Sequence, residues 1–290
     1  MLLITGATGH LGAAVINNLL KELRPEDIAI YARNEKKAKK WADIGISVRI
    51  GDFNNTVALD NALKDVSKLL LIPTNDGDSY NQHKNVIDAC VRAKVARFYY
   101  ASGSVNHHIE TSQLGFLKDA CFATENYIRS TGIPYTIFQN GLYADVIPLF
   151  IGNELPVNGI YFPSGDGKAS FATRAEMGEA IAKMILAPAE INASYTLTGN
   201  MAYSFGDIAS ILSEASGTNI RFESPDPNDY AERLKQYGVE DEDIYISSLF
   251  GAVIKNEEYR ICDNTLEQIL GRKPTTLEDY LKDHYLPKVK

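Results

Sequence analysis

The sequence predicts an α/β protein with a doubly wound parallel sheet and a smaller, mainly helical C-terminal lobe. Short apolar segments alternate with amphipathic segments through the first half of the chain. A glycine-rich turn follows the first apolar segment, and the alternation loosens after about residue 145. Strands and helices that alternate at this spacing form right-handed βαβ units, and such units build a parallel sheet.

The predicted strands are short and almost continuously apolar, as parallel strands covered on both faces are. The predicted helices between them carry amphipathic patterns. The strands are Leu2–Thr5, Ile28–Ala32, Ser47–Ile50, Lys68–Ile72, Arg97–Ala101 and Tyr135–Phe138, and the helices are Leu11–Leu23, Glu35–Trp41, Thr56–Leu63, Tyr80–Ala93 and Lys118–Ser130.

The remainder of the chain predicts a different organisation. A hairpin is expected over Gly159–Ala172 with Gly165–Gly167 as its turn, and a strand is expected around Ser194–Thr198. We expect residues 1–150 to form the sheet domain and residues 151–290 a smaller lobe that packs on it and does not fold alone. The predicted helices here are Arg174–Leu186, Phe205–Ser216, Asp226–Tyr237, Glu240–Val253 and Leu277–His284.

The composition excludes several classes of protein. Of the 290 residues, 45% are hydrophobic and 23% are charged, which excludes global disorder. No apolar run reaches the roughly 18 residues of a membrane span, so we expect no membrane insertion. The formal net charge is -8 and the 29 Lys and Arg residues are scattered, which argues against nucleic-acid binding.

The cysteines and the N-terminus indicate the compartment. Cys90, Cys121 and Cys262 are far apart and show no metal-ligand spacing. This pattern predicts reduced thiols, no metal site and a cytoplasmic protein. The segment Met1–Gly6 has neither a basic region nor a cleavage site, so we interpret it as a strand that enters a turn and not as a signal peptide.

The strongest motif is the glycine turn Gly6–Gly12, which directly follows the first strand and opens the first helix. Gly6 allows a tight turn, Gly9 lets the backbone approach a pyrophosphate, and Gly12 permits close helix–sheet packing. The first N–H groups of the helix then face an anionic phosphate. The turn therefore predicts a dinucleotide site.

Residues after the second and third strands bear on the choice of nucleotide. Arg33 stands where a site for NAD would carry an acidic residue, and its guanidinium suits a 2′-phosphate, which favours NADP over NAD. Alternatively, Arg33 only begins the lysine-rich helix. Asp52 and Phe53 offer an acceptor and a ring for an adenine, but Asp52 equally suits the cap of the helix near Thr56.

These residues resemble the short-chain dehydrogenase/reductase superfamily, and later segments resemble its NmrA-like group. Those segments are Gly132–Ile137, Asn140–Tyr143, Gly165–Lys168 and Leu270–Leu277. The resemblance extends over essentially the whole chain. It implies a Rossmann-type fold that binds NADP(H), without flavin, and an activity in which NADPH passes a hydride to a quinone or an aromatic dye.

The resemblance also implies roles for individual residues. Two positions depart from the pattern of the group, because Gln139 replaces a common Arg and Cys121 stands where a His is common. The implied sets are Gly6, Thr8, Gly9, His10 and Leu11 at the pyrophosphate, Arg33 at the 2′-phosphate, Ile72 and Ser102 near the nicotinamide ribose, and Asn140, Gly141 and Tyr143 beside the nicotinamide and the substrate.

The chain lacks the Tyr-x-x-x-Lys pair that ordinary members of this superfamily carry on the helix after the fifth strand. The segment from Tyr80 to Lys84 has this spacing but lies one βα unit too early, so we interpret it as coincidental. Quinone reduction needs no strong base, because resonance stabilises the product oxyanion and solvent can protonate it. Positioning then supplies most of the acceleration.

We therefore expect an NADPH-dependent oxidoreductase that reduces a small conjugated or aromatic substrate such as a quinone. Tyr143 and Asn140 are the candidate catalytic residues, and Tyr143 either hydrogen-bonds a quinone oxygen or packs on the nicotinamide. The histidine pair His107–His108 is interpreted as part of a polar loop. Two alternatives stay open, a redox sensor that binds NADP without catalysis and an enzyme like a nucleotide-sugar epimerase. A homodimer is also left open.

Overall fold

The computed structural model describes residues 1–73, 78–105, 115–187 and 190–286, with the backbone alone at 115–119. The predicted fold class is confirmed, because a parallel sheet forms the centre of the molecule and helices cover it. The strands of this sheet are β1 (Leu2–Thr5), β2 (Ile28–Ala32), β3 (Ser47–Ile50), β4 (Lys68–Leu71), β5 (Arg97–Gly103), β6 (Tyr135–Asn140) and β10 (Ala193–Leu197).

The strand order is β10-β6-β5-β4-β1-β2-β3, and every neighbouring pair is parallel. Strands β2 and β3 therefore extend the sheet on one side of β1. The chain then crosses to the other side of β1, where β4, β5, β6 and β10 follow in order. Parallel sheets that reverse in this way open a crevice at the carboxyl ends of the two central strands. In this fold the crevice lies between β1 and β4.

The helices divide between two faces of the sheet and a C-terminal lobe. The first two cover one face and the next three the other. They are α1 (His10–Leu19), α2 (Glu35–Ala42), α3 (Thr56–Ala62), α4 (Ser79–Arg92), α5 (Gly115–Thr131), α6 (Ile147–Ile151), α7 (Arg174–Leu186), α8 (Phe205–Ser216), α9 (Pro227–Gln236), α10 (Asp241–Lys255), α11 (Thr265–Leu270) and α12 (Leu277–Tyr285).

Chain beyond residue 150 contributes both to the sheet and to the lobe. Strand β10 pairs with β6 along its full length, and α7 crosses α1 so closely that a Cβ on Gly178 would lie 2.5 Å from the Cβ of Ala14. Helix α11 packs with α7 against the same face of the sheet, and most of the remaining elements after β6 enclose a separate apolar cluster that contains Phe150, Phe162 and Phe205. The division at residue 150 stays a prediction, and these contacts join the two parts.

The predicted hairpin over Gly159–Ala172 is wrong. Its two strands, β8 (Ile160–Tyr161) and β9 (Ala169–Ala172), lie in different small sheets. Strand β8 pairs with β12 (Phe222–Glu223), and β9 lies between β7 (Leu142–Tyr143) and β11 (Ala202–Tyr203). Partners that are distant in sequence supply the hydrogen bonds that a hairpin would have supplied locally.

Two strands are longer than predicted, and the difference concerns the functional edge of the sheet. Strand β5 continues to Gly103 and β6 to Asn140, so Ser102 pairs with Gln139 inside the sheet. Side chains that we expected in loops are therefore held by regular strand pairing. Among the described residues, none of the helices is long and apolar enough to cross a membrane.

Candidate functional site

The glycine turn has the geometry that a phosphate-binding turn requires. Gly6 has φ +62°, a conformation that side chains rarely adopt, and its carbonyl accepts the Gly9 N–H at 3.0 Å. A Cβ on Gly12 would lie 2.4 Å from that carbonyl oxygen. Gly12 therefore packs against the turn itself and not against the sheet as we expected.

The N-terminus of α1 is open to an anion. Its cap residue, Gly9, has no side chain, and the first turn holds no acidic residue. Thr8, Gly9 and His10 are partly or fully exposed, whereas Leu11 is buried. The free N–H groups and the positive end of the helix dipole thus face the crevice.

Two buried contacts that sequence analysis missed support this turn. Thr5 donates its hydroxyl to the Ile72 carbonyl at 3.0 Å and accepts the Ile72 N–H at 2.9 Å, which joins β1 to the end of β4. Trp41 donates its indole N–H to the Ala7 carbonyl at 3.0 Å. The only clues in the sequence are a Thr before the first glycine and the presence of a single Trp.

Ile72 packs directly against the turn. A Cβ on Gly6 would lie 2.9 Å from the Ile72 side chain, and Ile72 is 9% exposed. Ile72 therefore lies at the floor of the crevice, next to the phosphate turn. Its contact with a nicotinamide ribose stays a prediction.

The ends of β2 and β3 form the far side of the crevice. Arg33 is exposed directly after β2, and α2 is capped by the neighbouring Asn34, which accepts the Lys37 N–H at 3.0 Å. Arg33 therefore precedes the cap of the helix. Tyr31 donates its hydroxyl to the Asp52 carbonyl at 3.0 Å, which ties the ends of the two strands together.

Asp52 is not the cap of α3. Its carboxylate accepts the Asn54 N–H at 2.8 Å, and the cap is Asn55, which accepts the Ala58 N–H at 3.0 Å. The alternative role that we left open for Asp52 is therefore wrong. Phe53 is 6% exposed and stacks on Tyr31 with the ring centroids 6.0 Å apart. Contacts of Asp52 and Phe53 with an adenine stay predictions.

The ends of β5 and β6 bring together the predicted residues of the reaction centre. Ser102 is 5% exposed and Asn140 is 3% exposed. The Asn140 amide donates to the Tyr143 hydroxyl at 3.3 Å, and the Arg174 guanidinium lies 4.3 Å from the centre of the Tyr143 ring. Burial raises the pKa of Tyr143, against the Asn140 hydrogen bond and the Arg174 charge, which lower it. The phenol is therefore a hydrogen-bond donor at neutral pH.

Two polar atoms at this edge have no hydrogen-bond partner among the described residues. They are the Ser102 Oγ and the Asn140 Oδ1. Buried polar groups are nearly always paired, and an unpaired one costs about 1–3 kcal/mol. Two such atoms at the ends of β5 and β6 are what a ligand-binding site leaves when its ligand supplies the partners.

Gly141 has a structural reason to be glycine. A Cβ there would lie 2.4 Å from the Thr198 Oγ1, and its N–H donates to the Leu197 carbonyl at 2.8 Å. The turn after β6 is thus packed against the end of β10. A contact of Gly141 with the cofactor stays a prediction.

Gln139 and Cys121, the two residues that depart from the pattern of the group that the sequence resembles, lie beside the ends of β5 and β6. Gln139 donates to the buried Glu125 carboxylate on α5 at 3.2 Å, and Arg129 donates to the same carboxylate at 2.9 Å. Cys121, one turn earlier on α5, is partly exposed, and a Cβ on Gly103 would lie 3.9 Å from its sulfur.

Other candidates are placed elsewhere or not described. The Lys84 ammonium pairs with Asp88 at 2.8 Å and lies 4.9 Å from the centre of the Tyr127 ring. These contacts hold the Lys84 ammonium between α4 and α5. They agree with the interpretation that the Tyr80 to Lys84 spacing is coincidental. His107–His108 lies outside the described residues. Among those the structure describes, no group of three or more His, Cys, Asp and Glu side chains is arranged to hold a metal ion.

The residues of the crevice fit a phosphorylated dinucleotide. The turn admits backbone contact, the α1 N-terminus is free, an exposed cation follows β2, and two buried polar atoms lack partners at the far end. The model of the NmrA-like family matches residues 1–281. The chain is a member of the NmrA-like family.

Relatives within this family are similar over nearly the whole chain. Quinone oxidoreductase 2 of Escherichia coli (strain K12) is 34% identical over 284 residues, 96% of each protein. Its crystal structure with NADPH matches with a TM-score of 0.88 and 32% identity, covering 98% of this chain and 99% of that one. The triphenylmethane reductase of Citrobacter sp., complexed with NADP(H), also has a TM-score of 0.88, at 30% identity and the same coverage.

Proposed function

We propose that this protein is an NADPH-dependent oxidoreductase that reduces a quinone or a similar conjugated acceptor by direct hydride transfer. The observation that carries the proposal is the pair of unpartnered polar atoms, Ser102 Oγ and Asn140 Oδ1, beside the Tyr143 hydroxyl. Its relatives of this length include a quinone oxidoreductase and a dye reductase. The protein belongs among the NAD(P)H-dependent oxidoreductases of the family.

The dinucleotide would be held along the crevice by residues from four strand ends. The free N–H groups after Gly9 bind the pyrophosphate, and Arg33 pairs with a 2′-phosphate through charge-assisted hydrogen bonds. Ser102 and Asn140 meet the polar groups of the nicotinamide end. The bound cofactor supplies the hydride.

The residues at the β6 edge orient the acceptor and stabilise its charge. Asn140 fixes the Tyr143 hydroxyl by donating to its oxygen, which leaves the phenol proton directed to a substrate oxygen. Arg174 lies over the ring and favours negative charge near it. The sequence of α5 contains no Tyr-x-x-x-Lys pair that could act as a general base. The site therefore suits an acceptor that needs positioning more than proton abstraction.

The proposal includes a cytoplasmic location. The structure records Cys90, Cys121 and Cys262 as free thiols. Free thiols at mixed burial are typical of reducing compartments.

The test is NADPH oxidation by the purified protein with a panel of naphthoquinones, benzoquinones and triphenylmethane dyes. We expect turnover with at least one acceptor, and Tyr143→Phe should lower kcat with quinones while leaving the Kd of NADPH unchanged. Tight binding of NADPH with no turnover on any acceptor would contradict the proposal and favour a redox sensor.

A further inference from the structure

A cluster of polar groups lies between β5 and the helices α4 and α5, directly behind the proposed acceptor site. It comprises the Cys121 thiol, the hydroxyls of Tyr100, Ser102 and Thr124, and the His83 imidazole. Tyr100, Thr124 and His83 are at most 1% exposed. Such a cluster is unusual in the apolar layer between a sheet and its helices, because polar groups are costly to bury.

Part of this cluster is hydrogen-bonded and part of it is not. His83 Nδ1 lies 3.0 Å from the Thr124 Oγ1, and the His83 and Tyr100 rings meet edge to face at 5.8 Å. The hydroxyls of Tyr100 and Ser102 have no well-formed hydrogen bond with any described residue. Both face the Cys121 thiol, and with the Gly103 backbone they favour its ionised form.

The cluster reaches the reaction centre through Cys121. Residue Cys121 is partly exposed, whereas Tyr100, Thr124 and His83 are buried. A Cβ on Gly103 would lie 3.9 Å from the Cys121 sulfur, and Gly103 pairs in the sheet with Asn140, which donates to the Tyr143 hydroxyl. The thiol therefore lies beside the strand ends that carry the reaction centre. Burial outweighs the neighbouring hydroxyls and raises the pKa of Cys121, so the thiol holds its proton at neutral pH.

We propose that Cys121 is the proton donor to the oxyanion that forms when a quinone is reduced, with the Tyr100 hydroxyl positioning its thiol. This inference rests on the proposed function. The quinone takes up the hydride, hydrogen and electron pair together, at one of its oxygens, and negative charge develops on the other oxygen. The S–H bond of Cys121 breaks as the new O–H bond forms, and solvent water returns a proton to the thiolate after the hydroquinone leaves.

A comparison of two acceptors tests this role. A quinone needs a hydride and a proton, whereas a cationic triphenylmethane dye needs only the hydride, because its product is neutral. Cys121→Ala should therefore lower kcat with a naphthoquinone by about 100-fold, at the lower end of the contribution of a general acid. It should leave kcat with the dye and the Kd of NADPH unchanged.

Two further variants make the comparison sharper. Cys121→Ser, which keeps a donor that releases its proton less readily, should give an intermediate loss with the quinone. Cys262→Ala removes an exposed thiol outside the cluster and should change neither acceptor. An equal loss with both acceptors in Cys121→Ala, or no loss with the quinone, would overturn the inference while the proposed function stands. A wild-type protein that reduces neither acceptor would overturn both.

A readout independent of turnover is the alkylation of Cys121 by iodoacetamide, followed by peptide mass spectrometry. With NADP⁺ present, 2-naphthol, an aromatic alcohol that cannot be reduced, should slow the alkylation of Cys121 and leave that of Cys262 unchanged. Equal alkylation of Cys121 with and without 2-naphthol would show that the thiol does not face the acceptor, which would overturn the inference.

Discussion

The contact between Thr5 and Ile72 predicts a difference between two substitutions of the same chemistry. Thr5→Val removes a hydroxyl that both donates to and accepts from the Ile72 backbone. Thr136→Val removes a hydroxyl that has no hydrogen-bond partner among the described residues. Thr5 is 1% exposed and Thr136 is 0% exposed, so the two sites match in burial.

The expected magnitudes follow from what each substitution leaves behind. Thr5→Val leaves a buried N–H and a buried carbonyl without partners, each at a cost of about 1–3 kcal/mol. The added methyl recovers about 0.8 kcal/mol. We expect a net loss of about 1–5 kcal/mol in the free energy of unfolding. Thr136→Val should be neutral or stabilise the protein by about 1 kcal/mol.

The assay is urea unfolding followed by far-UV circular dichroism, with the midpoint compared at an unchanged slope. Thr5→Val should also weaken NADPH binding, because the Ile72 backbone forms the floor of the crevice beside Gly6. Equal losses of stability in the two variants would refute the reasoning, since burial alone would then explain both.

Three other predictions concern charge. Arg33→Ala should weaken NADPH binding by about 1–3 kcal/mol and leave NADH binding unchanged in titration calorimetry; equal weakening of both would refute the contact with a 2′-phosphate. Burial lowers the pKa of His83 to about 4. As the pH falls below 6.5, the His83 imidazole is therefore protonated in the unfolded chain before it is protonated in the folded protein. Stability should therefore decline by about 3 kcal/mol between pH 6.5 and 4, and His83→Gln should flatten this decline in urea titrations. An unchanged decline in that variant would contradict the assignment. Arg272→Ala should lower the free energy of unfolding in urea by about 2 kcal/mol, because it removes a partner of the buried Glu176 carboxylate on α7. Arg260→Ala, which breaks an exposed ion pair, should lower it by less than about 1 kcal/mol, and equal losses in the two variants would contradict this assignment.

Local patterns were sufficient for the sheet. The strands β1 and β2 have the predicted bounds because a buried parallel strand must be apolar on both faces, and this requirement is visible in each segment separately. The glycine turn was predictable for a related reason. A positive φ at Gly6 and the close approach at Gly12 exclude side chains at those positions, so the constraint is written in the residue types.

Predictions that depended on a choice between partners were less successful. Gly159–Ala172 carries the turn residues of a hairpin, but its strands pair with β12, β7 and β11, and turn residues do not specify distant partners. Asp52 and Asn55 both suit a helix cap, and the position of the turn after β3 assigns that role to Asn55. Both outcomes depend on the packing of the whole chain.

The sequence by itself determined the parallel sheet, the phosphate turn and the cation after β2, because each depends on residue types at fixed spacing along one segment. Only the tertiary structure placed Thr5 on Ile72, Asn140 on Tyr143, and Cys121 beside Gly103. The physical reason is that a buried polar group must find its partner in space. In a doubly wound sheet the carboxyl ends of strands far apart in sequence meet at one edge.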